Sequence, residues 1–136
     1  MSHFQLDGTV SRTTMLNRDD VVKSKIALRE LGYYDIPDYG LTDISDEAMF
    51  DGIKEFQKDK GLFTDSTMQP GGETQKELNK ALPEKNPFNS KEDVVPPKPK
   101  CPEGKAPLLD GICIPGTDIC YYWWRCVPFP GGDAPR

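Results

Sequence analysis

All four cysteines of this 136-residue chain fall between positions 101 and 126, and that placement divides it. The first hundred residues must fold by packing alone. The tail, rich in Pro and Gly and too short to build a core, has the profile of a segment held by disulfides. Three pairings are open to four cysteines. Asp110-Gly111, a hairpin-turn signal, lies inside the interval from Cys101 to Cys113, which favours Cys101 with Cys113 and Cys120 with Cys126. Zinc is the competing use of four thiolates, but no Cys-x-x-Cys pair occurs and the intervals are irregular, so disulfides and no metal are expected. Oxidised cysteines place the protein outside the cytoplasm, in the periplasm or cell wall, or outside the cell, including on a virion.

Upstream, apolar residues recur with helical period in three places. In the first, residues 19–31, Val21, Leu28 and Leu31 share a face with Ser24, which stands where a larger apolar residue is expected. Asn17 offers an N-cap, Asp19 and Asp20 suit the positive end of the helix dipole, and Gly32 suits a C′ position. A second helix over 45–60 carries Met49, Phe50, Ile53 and Phe56, with Ser45 or Asp43 as the cap and Gly61 as the stop. The third, 72–82, has Thr74 and Glu77 at capping-box spacing and Leu78, Ala81 and Leu82 as its apolar contacts. At Pro83 the composition changes: "PEKNPFNSKEDVVPPKPK" holds five prolines and few apolar residues, so 83–100 reads as an extended spacer. Residues 1–16 are then an N-terminal extension, 17–82 a helical domain and 101–136 a Cys-rich aromatic module, irregular or a β-hairpin.

Several function classes drop out. A net charge of −5 with no basic cluster disfavours nucleic acid. No apolar run nears the roughly 20 residues of a membrane span, and the opening residues lack the basic and apolar regions of an export signal. His3 is the single histidine, so neither a nucleophilic triad nor a zinc peptidase site has its parts, and no paired carboxylates suggest hydrolysis; no enzyme and no cofactor are expected. Asp43, Asp46, Glu47 and Asp51 lack calcium-loop spacing and read as a solvated helix start.

The helical segment 19–82 resembles the three-helix peptidoglycan-binding domain family attached to bacterial and phage cell-wall hydrolases. The likeness rests on "DVVKSKIALRELGYY", on "AMFDGIKEFQKDKGL" ending in Phe-Gln and Gly-Leu, and on "PGGETQKEL". Ser24 and Lys25 depart from the family's usual Leu and Gln, and "MQPGGET" departs from its compact Asp-Gly-x-x-Gly-Pro loop. The resemblance implies a mainly α fold and noncatalytic recognition of peptidoglycan, by glycan strand or stem peptide, in a shallow groove between the loop after the first helix and the start of the third. That anchors or targets a protein or particle to the wall. In this groove Tyr34, Asp35 and Tyr39 would form a rim with flat faces and polar tips, with Gly71, Gly72 and Thr74 as ligand-binding residues at the start of the third helix; the two glycines there either present backbone N–H groups to an anion or form a plain turn into a capped helix. Of Tyr33 and Tyr34, one is expected inside and one outside. Phe56 is expected in the core, with Gln57 a structural hydrogen-bonder.

In the tail, "CYYWWRC" packs Tyr121, Tyr122, Trp123, Trp124 and Arg125 between two cysteines. So small a module has little interior, so some rings must be exposed or dock on a neighbour, which suits sugar stacking or a protein partner. A structural or assembly component, of a virion or envelope machine, is the rival expectation.

Overall fold

In the computed structural model the described residues are 4–37, 40–83, 88, 96–114 and 120–128. They form three helices, α1 (Arg18–Glu30), α2 (Glu47–Asp59) and α3 (Glu73–Ala81), and two antiparallel strands, β1 (Lys105–Cys113) and β2 (Cys120–Pro128).

Helices α1 and α2 stop where their glycines predict. Gly32 and Gly61 take φ of +85° and +70°, and each helix closes with two reverse hydrogen bonds: Tyr33 N–H to Leu28 O and Gly32 N–H to Arg29 O, then Leu62 N–H to Gln57 O and Gly61 N–H to Lys58 O. At the start of α1, Asn17 Oδ1 accepts from the N–H groups of Asp19 and Asp20, as expected. The other two starts differ from expectation. Helix α2 is capped by Asp46, not Ser45 or Asp43, and α3 has Gly72 at its N-cap with no side-chain cap, because Thr74 turns inward to accept from Gln57 Nε2 at 3.0 Å.

The interior is built from Ile26 and Leu28 of α1, Met49, Ile53 and Phe56 of α2 and Leu78 of α3, all fully buried. Gly52 lets α1 and α2 close: a Cβ there would lie 2.5 Å from the Tyr33 carbonyl oxygen, a distance no side chain survives. Ser24 is also fully buried, and its hydroxyl has no hydrogen-bond partner among the described residues.

The N-terminal segment is not an appendage. Phe4, Leu6 and Val10 are buried in the same core, Val10 exchanges both backbone hydrogen bonds with Met68, and Asn79 and Gln75 of α3 bond the backbone of Phe4 and Leu6. Asp20, entirely buried, accepts from the N–H groups of Asp7 and Gly8 at 2.9 and 2.8 Å. Periodicity missed this segment because an extended chain sealed by helix side chains has no helical stripe of its own. The expected spacer is also engaged at two points. Phe88 is buried with its ring edge-on to Phe4 at 5.3 Å, and the Pro96 carbonyl accepts from Trp124 Nε1 at 2.7 Å. Residues 84–87 and 89–95 lie outside the described residues.

In the tail, the expected disulfides are corrected: the bonds are Cys101–Cys126 and Cys113–Cys120. Asp110 and Gly111 are not a turn but mid-strand residues opposite Trp123 and Tyr122, so the strands reverse beyond Cys113 and bring it directly across from Cys120. Gly111 is needed there because the Tyr122 ring lies over it, 2.5 Å from any added Cβ. The pleat puts Tyr121 and Trp123 on one face, and both are buried in the common core, 3% exposed. Arg29 of α1 donates to the Tyr121 hydroxyl at 2.6 Å.

This docking is pH-sensitive. Burial, with the Glu30 charge adding to it and Arg29 opposing, pushes the Tyr121 phenol from 10.0 up to about 12. The docked state therefore keeps a proton that a released hairpin loses. Docking is at full strength below pH 10 and is lost as pH rises toward 12, by roughly 2–3 kcal/mol in all. Tryptophan emission followed from pH 9 to 12.5 should shift red with tyrosinate absorbance, and in Tyr121→Phe the alkaline shift should vanish.

Candidate functional site

Two clefts lie where a single groove was expected, and their linings share no residue. One, of about 460 Å³, follows α1 and is lined by Tyr33, Tyr34, Asp35, Asp51, Gly52 and Glu55. Here the roles of the adjacent tyrosines are reversed from the expected rim. Tyr34 is 3% exposed, its hydroxyl donates to Asp46 Oδ2 at 2.8 Å, and the Lys25 ammonium stands 5.7 Å from its ring centroid. It holds the loop from inside and offers no flat face. Tyr33 is the half-exposed one, tethered through its hydroxyl to Asp59 Oδ2 at 2.7 Å, a hydrogen bond that raises its pKa. Asp35 is exposed, and Tyr39 lies outside the described residues.

Lys25 ties this loop to α1 from inside. Its side chain is fully buried, yet its ammonium donates to Ile44 O and Thr42 Oγ1 and faces Asp46 Oδ2 at 3.4 Å. Desolvation lowers its pKa against the opposing pull of Asp46. The charge of Lys25 thus ties α1 to the α1–α2 loop.

The second cleft, about 160 Å³, lies between the end of α2 and the start of α3. Its architect is Gln57, 1% exposed. The amide Nε2 lies within hydrogen-bond reach of Asp65 Oδ1, Thr67 O and Thr74 Oγ1, while Oε1 accepts from the N–H groups of Asp65 and Ser66 at 3.2 and 2.9 Å. Every bond of this glutamine goes to the protein, in keeping with a structural role. It holds Ser66 at φ +59°, a left-handed conformation costing a non-glycine residue on the order of 1 kcal/mol. Around this anchor, Asp65, Thr67, Gln69 and Glu73 line the walls, and Phe63 lies on the rim with 78% of its surface exposed. Of the ligand-binding residues expected at the start of α3, Gly72 and Thr74 line this cleft; Gly71 is exposed and does not. Phe63 was missed, although a lone Phe between the helix-stopping Gly61-Leu62 and Thr64-Asp65 has no periodic partner to bury it.

Residues 17–66 match the family model of the putative peptidoglycan binding domain. No curated protein and no solved structure matches the chain significantly. The match to the peptidoglycan binding domain covers α1, α2 and the loop through Ser66, and so takes in Gln57, Phe63 and Asp65. The α3 wall of the second cleft, from Thr67 to Thr74, continues past it. Among the described residues no group of His, Cys, Asp and Glu could hold a metal, and no helix is long and apolar enough to cross a membrane.

Proposed function

We propose that the protein binds bacterial peptidoglycan without cutting it, and thereby anchors or targets a protein or particle to the wall from outside the cytoplasm. The observation that carries this reading is the exposed Phe63 on the rim of a polar cleft whose α2 side belongs to the matched peptidoglycan-binding segment. A large exposed aromatic beside convergent amide, hydroxyl and carboxylate groups is the usual composition of a site that stacks an apolar ring face and hydrogen-bonds its substituents. The cleft has room for one group, such as an N-acetyl or a short side chain, with the rest of the ligand lying across the surface. The first cleft, with Tyr33 and Asp35 at its mouth, would extend the contact.

The second reading, a structural or assembly component, draws on Leu108 and Leu109 of the hairpin, 45% and 39% exposed on its two opposite faces, as protein-docking contacts. Co-sedimentation with purified sacculi separates the two. The parent chain should sediment with the wall, and Phe63→Ala should reduce retention at least tenfold while its melting temperature stays within about 1–2 °C, because so exposed a ring contributes little to the core. A parent chain left wholly in the supernatant would favour the assembly role.

A further inference from the structure

The hairpin builds a pocket of its own outside the matched segment. It measures about 520 Å³ and lies between β2 and the α1–α2 loop, with Ile36, Pro37 and Val127 as apolar walls and Trp124, Lys105 and Arg125 as the remaining chemistry. Three features mark it as more than a packing gap. The Trp124 ring is held in place, since its indole N–H donates to Pro96 O and the next residues are pinned by the Cys101–Cys126 bond. The strand register puts Lys105 across from Pro128 and Leu109 across from Trp124, so Lys105 and Trp124 share one face of the hairpin and Arg125 and Val127 the other, and the pocket takes its lining from both. Arg125 is paired with Asp110 at 3.4 Å, whereas Lys105 is exposed and has no ion pair among the described residues. On a chain of net charge −5, a fixed indole beside two cations is a local exception.

We infer that this pocket is a second wall-binding subsite, one that stacks a sugar ring on Trp124 and takes the sugar's carboxylate on Lys105. It rests on the reading that the ligand is peptidoglycan, and it names muramic acid freed of its stem peptide as the unit bound here, because in a peptide-bearing strand that carboxyl is tied up in an amide bond. A flat indole selects a ring with an apolar face, and a solvated lysine adds a modest, salt-sensitive preference for an anionic substituent over a neutral sugar of the same size.

The test uses the full, disulfide-bonded chain and two soluble probes, N-acetylmuramic acid, which carries a carboxylate, and N-acetylglucosamine, which does not. Heteronuclear NMR titration should show the acidic sugar moving the Trp124 indole N–H and the Ile36 and Val127 amides, with an affinity roughly threefold to fivefold above that of the neutral one. The preference should disappear in Lys105→Gln, a surface change that leaves folding alone, and in 0.5 M salt. Equal affinities in the parent, shifts that gather around Phe63 and bypass Trp124, or no response to either sugar would each overturn the assignment. Phe63→Ala provides the separation from the main reading. If it abolishes sacculus retention and the muramic acid response at Trp124 persists, both stand. Sacculus retention with no Trp124 response removes the hairpin subsite alone, and a Trp124 response in a chain that ignores sacculi removes the main reading alone.

Discussion

Asp46→Ala should destabilise the fold by about 3–5 kcal/mol, among the largest effects available to a single partly exposed side chain. One carboxylate serves three elements. Its Oδ1 accepts from Met49 N–H and caps α2, and its Oδ2 accepts from the buried Tyr34 hydroxyl and faces the buried Lys25 ammonium. Loss of the cap alone costs about 1 kcal/mol. The larger share comes from leaving a fully buried ammonium with neutral oxygens only, Ile44 O and Thr42 Oγ1. The melting temperature should fall by more than about 10 °C. Lys25→Met in the same background should restore part of it, since the double variant removes the orphaned charge as well as its partner. If Asp46→Ala melts within about 2 °C of the parent, the three-way role is wrong.

The same residue shows why the sequence was legible in some places and silent in others. Features set by neighbours along the chain were readable: the Asn17 cap, the stops at Gly32 and Gly61 and the Met49, Ile53 and Phe56 stripe. Each depends on helix geometry within one or two turns. By sequence Asp46 is one of several solvated acids, because nothing local says that Tyr34 and Lys25 converge on it from another element. Long-range closure likewise decided the disulfides. Asp110-Gly111 is a sound turn signal, but cross-strand pairing through Cys113 and Cys120 overrode it. The rings of "CYYWWRC" need cover on composition alone. Which of them had it, Tyr121 and Trp123, depended on the strand pleat and, for Tyr121, on a docking partner some 90 residues back in the chain. The candidate cleft was half visible, through Gly72 and Thr74, and its exposed Phe63 was not, since an unburied aromatic leaves no periodic trace.

Gln57→Leu should separate the fold of the site from its contact surface. Leucine fills nearly the same space, so no cavity is made, but the N–H groups of Asp65 and Ser66, the carbonyl of Thr67 and the hydroxyl of Thr74 all lose the amide that satisfied them. A buried polar group left without a partner costs about 1–3 kcal/mol, and some of these groups will reach water once the loop loosens, so a net loss of about 3–4 kcal/mol is expected. Ser66 adds to this, because its left-handed backbone, at φ +59°, persists only while the surroundings impose it. The loop should relax and carry Phe63 away from Thr74, so sacculus binding should fall even at temperatures where the variant is still folded. Phe63→Ala is the counterpart, with binding lost and stability kept. Thermal melts and co-sedimentation on the two variants therefore give a crossed result if the cleft is the binding site. A Gln57→Leu chain that is destabilised yet binds sacculi like the parent would place the grip on the first cleft or on the hairpin, away from the start of α3.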